Sequence, residues 1–217
     1  MNQLLTLVIA SNNAGKIAEI RDLLDGFPVN IKNLDAFGPI PTVEEDGDTF
    51  DDNAYAKASF VSKVLGLPAL ADDSGLVVDA LGGAPGVHSA RYAGENATDE
   101  QRCTKLLNEM KGKTNRKAAF ECVISIAVPA GPALTYEARC EGIIAEMPAG
   151  EYGFGYDPVF YYPPLKKTFG QLTRAEKSRV SHRGKALQEL KEEFDKVLIW
   201  INQNMPQLEK LGCQHDK

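Results

Sequence analysis

The sequence predicts an α/β fold, with a mixed twisted central sheet flanked by helices and two lobes enclosing a cleft. Three observations carry this expectation. Residues 4–10 (LLTLVIA) are a continuous apolar run, the pattern of a strand buried on both faces. Helix-period and strand-like segments then alternate through the first part of the chain. Residues 117–128 and 133–145 are β-rich and separated by PAGP, which reads as a hairpin.

The remaining elements follow in order. Ile17, Ile20, Leu23 and Leu24 recur at helical spacing, predicting a helix over 14–26 that Gly26 can end. A short strand is expected at 29–33 and an irregular acidic loop at 35–48. Phe50, Ala54, Ala58, Val61 and Leu65 share one face of a helix over about 49–65. PALAD (68–72) and LVVDAL (76–81) read as two strands, followed by a glycine-rich loop, GGAPG. Thr98 opens a capping box, T-D-E-Q, and a helix through about residue 110. Another short strand is expected at 156–162 and a long helix at 182–204, with Leu187, Leu190, Phe194, Leu198 and Ile201 on its buried side. Residues 1–205 form one domain in this reading, and 206–217 a frayed polar tail.

Composition narrows the function classes. Apolar residues make up 43% and charged residues 25% of the 217, near the values of a soluble globular protein. No apolar run is long enough to span a membrane. Cys103, Cys122, Cys140 and Cys213 match neither a zinc pattern nor a CxxC pair, so reduced thiols in a cytoplasmic protein are the simplest expectation. The net charge of −6 argues against a general nucleic-acid binder. Residues 166–185 nevertheless carry seven Lys and Arg against the single acid Glu176, a local surplus suited to a compact polyanion.

Five segments have the residue types of a phosphate- and base-binding site. Ser11-Asn12-Asn13-Ala14-Gly15-Lys16 follows the first strand and opens a helix, where backbone N–H groups and the helix dipole favour phosphate and Lys16 adds a full charge. It is not a P-loop, because GxxxxGK[ST] is absent. Ala71-Asp72-Asp73-Ser74-Gly75 is expected where a buried strand ends. Neighbouring residues of a strand point to opposite faces, so one aspartate reaches the cleft while the other turns back onto backbone or a basic residue. Asp73 is taken as the one that faces metal and water. Glu45, in the acidic loop, can join Asp73 in a magnesium site, since magnesium uses few protein carboxylates and completes its shell with water and substrate phosphate. Lys57 lies on the helix that follows. Phe154, between Gly153 and Gly155, can stand out to stack on a purine, with Tyr156 and Asp157 beside it. Lys177, His182 and Arg183 close the set, and Ser181 has the character of an N-cap.

Each segment by itself also has an ordinary structural reading. These are a capped surface helix, a polar turn, a solvated acidic loop, an aromatic in a tight turn and a satisfied core histidine. Their combination is more specific. SNNxGK, ADDSG, GGAPGxxSARYAG, FGYDPxF and EKSxxSHRGxAL occur in this order, and the chain resembles the Ham1/RdgB inosine triphosphate pyrophosphatase family from residue 5 to about residue 198. The resemblance implies a dimeric, magnesium-dependent enzyme cleaving non-canonical purine nucleoside triphosphates such as dITP, ITP and XTP. It implies phosphate binding by Ser11 to Lys16, metal binding by Glu45 and Asp73, and Asp73 as general base. Lys57 and Ser74 become substrate contacts. Phe154, Gly155, Tyr156, Asp157, Lys177, His182 and Arg183 become base-binding residues. In the expected chemistry Lys16, Lys57 and Lys177 offset charge on the leaving group. One departure is Gly170-Gln171, where similar proteins usually carry Ala and Glu.

Overall fold

Strand β1 (Leu5–Ile9) is buried on both faces because its alternate side chains enter two different cores. Leu7 and Ile9 pack under helices α1 (Ala14–Leu24) and α5 (His182–Asn204), while Val8 and Ala10 pack against α2 (Phe50–Leu65). The computed structural model describes residues 4–41, 43 and 45–206. The tail expected at 206–217 therefore lies, apart from Pro206, outside the described residues.

Seven strands form one open sheet in the order β2-β1-β3-β4-β5-β6-β7. β2 (Val29–Asn33) and β3 (Ala69–Val78) flank β1 and run parallel to it. β4 (Lys117–Ala127), β5 (Ala133–Ile144), β6 (Phe160–Tyr162) and β7 (Lys167–Thr168) add on antiparallel, so the sheet is mixed as expected. The chain leaves β1 through α1 to reach β2 on one side, then returns through α2 to β3 on the other. α1 and α2 accordingly cover opposite faces, and the strand order reverses at β1. A third core gathers α3 (Asp99–Glu109) with Leu76, Phe120, Phe160 and Phe169 at the far end of the sheet.

The helix starts match their sequence signals. Thr98 and Gln101 form a full capping box on α3, and Ser181 accepts Gly184 N–H at the start of α5. Three expectations need correction. PALAD and LVVDAL are one strand, because β4 pairs with every residue from Ala69 to Val78 and carries the ladder through the polar pair. Gly75 serves close packing there rather than ending the strand, since a Cβ would stand 2.5 Å from the Gly86 carbonyl oxygen. Of the strand expected at 156–162 only β6 forms, because residues 157–159 make a 3₁₀ turn led by Pro158. A helix not expected, α4 (Arg174–Val180), stands between β7 and α5. Its signal is the Thr173-x-x-Glu176 capping box, in a segment that the sequence reading takes for its charge and motif residues.

Candidate active site

The reversal of strand order creates the site. β1 pairs with β3 only as far as Ile9 opposite Leu70, so the β3 edge beyond Leu70 has no strand beside it on that side among the described residues. A cavity of about 690 Å³ opens there, outside the carboxyl end of β1, at the position where open α/β sheets bind ligands. The site residues singled out above line it, except Ala14 and Gly15, which form the first turn of α1.

Asp72 and Asp73 do point to opposite faces. Asp72 shares its face with Leu70 and turns toward α1 and α5. Its Oδ2 accepts Lys16 Nζ at 2.8 Å and Arg183 Nε at 3.2 Å. Burial alone would raise its carboxyl, but the charges of Lys16 and then Arg183 override this and hold it far below the usual carboxylate range. The Asp72 side chain is fully enclosed and its Oδ1 has no hydrogen-bond partner among the described residues. Arg183 is gripped on three sides, since Nη1 donates to Glu19 at 2.9 Å and Nη2 to Ser74 Oγ at 2.8 Å. Glu19 was not foreseen. It lies on α1, one turn beyond Lys16, and nothing local links it to residue 183.

Asp73 turns toward α2. Its Oδ1 accepts Lys57 Nζ at 2.8 Å, and Glu45 Oε1 approaches the same ammonium at 3.5 Å. The two carboxylates expected to share a cation therefore converge on one, supplied by the chain itself. Burial pushes the Asp73 carboxyl up despite the pull of Lys57. Burial also works against the Lys57 charge, but Asp73 and Glu45 outweigh it and raise its pKa. Asn53, a residue not singled out, is buried and ties the acidic loop to this pair. Its amide donates to Asp73 Oδ2 at 3.4 Å, and its Oδ1 accepts Gly47 N–H at 3.0 Å. Arg91 Nη2 holds the Glu45 carbonyl at 3.0 Å. No group of three or more His, Cys, Asp or Glu forms a metal cluster among the described residues. Two carboxylates around a cation fit magnesium, which takes its other oxygens from water and phosphate.

At the start of α1, Asn13 Oδ1 accepts Lys16 N–H at 3.1 Å and Ser11 Oγ accepts Asn13 N–H at 3.2 Å. The phosphate-type loop is thus capped by its own side chains, with Ala14 and Gly15 presenting their N–H groups at the open helix end. Phe154 reaches over from the far end of the site, so that a Cβ on Gly15 would lie 3.3 Å from its ring. Lys177 Nζ sits 4.5 Å from the centre of that ring and donates to Asp157 Oδ2 at 2.5 Å. Asp157 Oδ2 also accepts Phe154 N–H at 2.9 Å, so this carboxylate braces the loop that carries the ring. Burial pushes the Asp157 carboxyl up against the pull of Lys177. Lys177 stands with Phe154 and Asp157, apart from the lysine that Glu45 and Asp73 hold.

His182 stacks on Phe120, 4.7 Å between centres, and its Nδ1 has no hydrogen-bond partner among the described residues. Burial, then the positive charges of Arg183 and Lys177, hold its pKa well below the usual value, so the ring is neutral at neutral pH. The basic surplus of residues 166–185 is not one patch. Lys177 and Arg183 are buried in the cavity wall, whereas Lys167 faces Glu176 at 3.9 Å and Arg174 faces Asp22 at 2.6 Å outside. Gly170 and Gln171 have their own geometry. Gln171 Oε1 accepts Thr168 N–H at 3.0 Å, and a Cβ at residue 170 would lie 2.7 Å from the Ala149 carbonyl oxygen.

The chain is similar to known proteins over most of its length. The Ham1 family profile matches residues 7–193. The dITP/XTP pyrophosphatase of Syntrophobacter fumaroxidans is 59% identical over 196 residues, covering 90% of this chain and 84% of the relative. That of Desulfotalea psychrophila is 54% identical over 211 residues, covering 97% and 95%. Among solved structures, a HAM1 protein from Coxiella burnetii superposes with a TM-score of 0.84 at 43% identity, covering 88% of this chain and 99% of that one. With a family profile spanning most of its length and a cavity built from the residues those motifs contain, the chain belongs to the Ham1 family.

Proposed function

We propose that this protein hydrolyses non-canonical purine nucleoside triphosphates (dITP, ITP and XTP) to the nucleoside monophosphate and pyrophosphate. The observation that carries the reading is the convergence of Asp73 and Glu45 on the Lys57 ammonium in the cavity that also holds Phe154, Arg183 and the capped start of α1. The names of the relatives support it.

The triphosphate lies between the start of α1 and the Asp73–Glu45 pair, with Lys16 and Lys57 offsetting its charge. Glu45 and Asp73 would hold magnesium, which supplies positive charge against the phosphate oxygens. Asp73 orients a water molecule and takes its proton as the water oxygen bonds to the α-phosphorus. The bond from the α-phosphorus to its bridging oxygen breaks, and pyrophosphate leaves with that oxygen. A raised carboxyl at Asp73 suits a proton acceptor.

The base stacks on Phe154. Hypoxanthine and xanthine carry a 6-keto acceptor where adenine has an amino donor. Arg183 has five N–H donors, of which Asp72, Glu19 and Ser74 take three. A remaining donor from Arg183 or the His182 region meets the keto oxygen and is left unpaired by adenine, at a cost of roughly 1–3 kcal/mol. A homodimer in the cytoplasm belongs to the same proposal, on the strength of the family resemblance.

The test is a panel of ITP, XTP, GTP and ATP with magnesium or with EDTA, with product identification. Monophosphate and pyrophosphate from ITP and XTP, lost in EDTA, are expected. Equal rates on ATP and ITP would refute keto recognition. Nucleotide binding without pyrophosphate release would make the protein a silent binder.

A further inference from the structure

We propose that Asp99 and Cys103 of α3 are positioning residues that set the Phe154 ring for the base, an inference that rests on the function proposed above. Neither residue lies in any of the five motifs. Asp99 Oδ2 accepts Gly155 N–H at 2.7 Å, and Cys103 Sγ, one helical turn on, donates to the Gly155 carbonyl oxygen at 3.3 Å. The residue after the stacking ring is thus held through both of its backbone polar groups by one helix face.

The loop needs such a clamp. Gly153 and Gly155 have φ of +78° and +62°, conformations that glycine reaches without strain, so the backbone on either side of Phe154 is intrinsically free. Asp157 holds Phe154 alone, its Oδ2 accepting the Phe154 N–H and its own N–H donating to the Phe154 carbonyl at 3.3 Å, and neither bond reaches Gly155. The Tyr156 hydroxyl donates to the Ser89 carbonyl at 2.8 Å and fixes the loop from a third side. α3 itself is a rigid base for the clamp. Its start is closed by the Thr98–Gln101 capping box. Arg102, paired with the other Asp99 oxygen, donates through Nη1 to the Ala90 and Ala97 carbonyls, each at 2.8 Å. Cys103 is buried, and burial pushes its thiol up to about 11, so it stays protonated and keeps its donor.

A loop held before the substrate arrives binds the base without an ordering cost. Releasing it leaves the capped turn of α1 and the Asp73–Glu45 pair with their own partners. The clamp therefore acts on base binding rather than on the chemical step.

The experiment measures kcat and KM for ITP, calorimetric Kd for IMP, and inhibition by tripolyphosphate, which has no base. Asp99→Ala raises the ITP KM and the IMP Kd by about 3- to 10-fold, with kcat and the tripolyphosphate inhibition constant within about twofold of wild type. Asp99→Asn recovers most of the loss, because its amide oxygen still accepts. Cys103→Ala weakens IMP binding less than Asp99→Ala does, and Cys103→Ser restores it. Glu100→Ala, an exposed acid in the same first turn, leaves every constant unchanged. Unchanged ITP KM and IMP Kd in Asp99→Ala, or an equal loss for tripolyphosphate and IMP, overturns the clamp. If the wild-type protein releases no pyrophosphate from ITP, the proposed function fails while IMP binding still reads the clamp. Failure of wild-type IMP binding overturns the clamp as well.

Discussion

Replacing Asp72 and Asp73 separately by asparagine tests the assignment of two adjacent carboxylates to two different tasks. Asp72 belongs to a closed set of four charges, Lys16 and Arg183 against Asp72 and Glu19. Asp72→Asn leaves that buried set one positive charge in excess. Lys16, 16% exposed, can turn toward water, but Arg183 is 4% exposed and keeps only Glu19 as a charged partner. Breaking a buried pair in this way costs about 3–5 kcal/mol. For a chain of this size that lowers Tm by about 6–20 °C. Asp73→Asn acts differently. The Asp73 carboxyl is pushed up by burial, so its ionised form adds little to stability at neutral pH, and Lys57 retains Glu45. Its Tm changes by no more than a few degrees, while turnover falls by about 10²–10⁴. Thermal denaturation followed by circular dichroism, with pyrophosphate release on the same samples, separates the two. An Asp72→Asn protein melting with wild type, or a folded Asp73→Asn protein with full turnover, would refute the division of labour.

Three further outcomes follow from the geometry. His182 is held neutral when folded but takes a proton below its ordinary value of 6.5 when unfolded, so the unfolded state binds more protons on the acid side. Stability therefore falls as pH drops below about 6.5, by up to about 1.4 kcal/mol per pH unit, and urea titrations of His182→Gln should show a shallower acid slope. Gly75→Ala places a methyl 2.5 Å from both the Gly86 carbonyl oxygen and Ser89 Oγ, and a loss of about 1–3 kcal/mol in urea denaturation is expected. Phe154→Ala removes the stacking platform over Lys177. The ITP KM should rise about 5- to 150-fold, the equivalent of roughly 1–3 kcal/mol, while an unchanged KM would place the base elsewhere.

The local parts of this protein were legible because short-range rules produce them. The apolar run of β1, the Thr98 box, the Ser181 cap and the helical stripes of α2 and α5 each depend on neighbours within a turn or two. The opposite facing of Asp72 and Asp73 followed from the two-residue repeat of a strand, although the strand was expected to end there. Its continuity came from β4, more than forty residues on in sequence, which no local pattern at 71–75 announces. α4 was hidden for another reason, since a charge count over its segment masked a capping box that was plainly present.

Residue types and order in the motifs determined the family, the candidate chemistry and the alternation of helix and strand. Only the tertiary structure decided which charges meet. Lys16 and Arg183 share one oxygen of Asp72, Lys57 stands between Asp73 and Glu45, and Asp99 reaches Gly155 across 56 positions of sequence. The physical reason is that backbone propensity and hydrophobic period act over a few residues. A buried ion pair instead selects its partner by distance and enclosure, and those exist only after the sheet has brought remote segments to the end of β1.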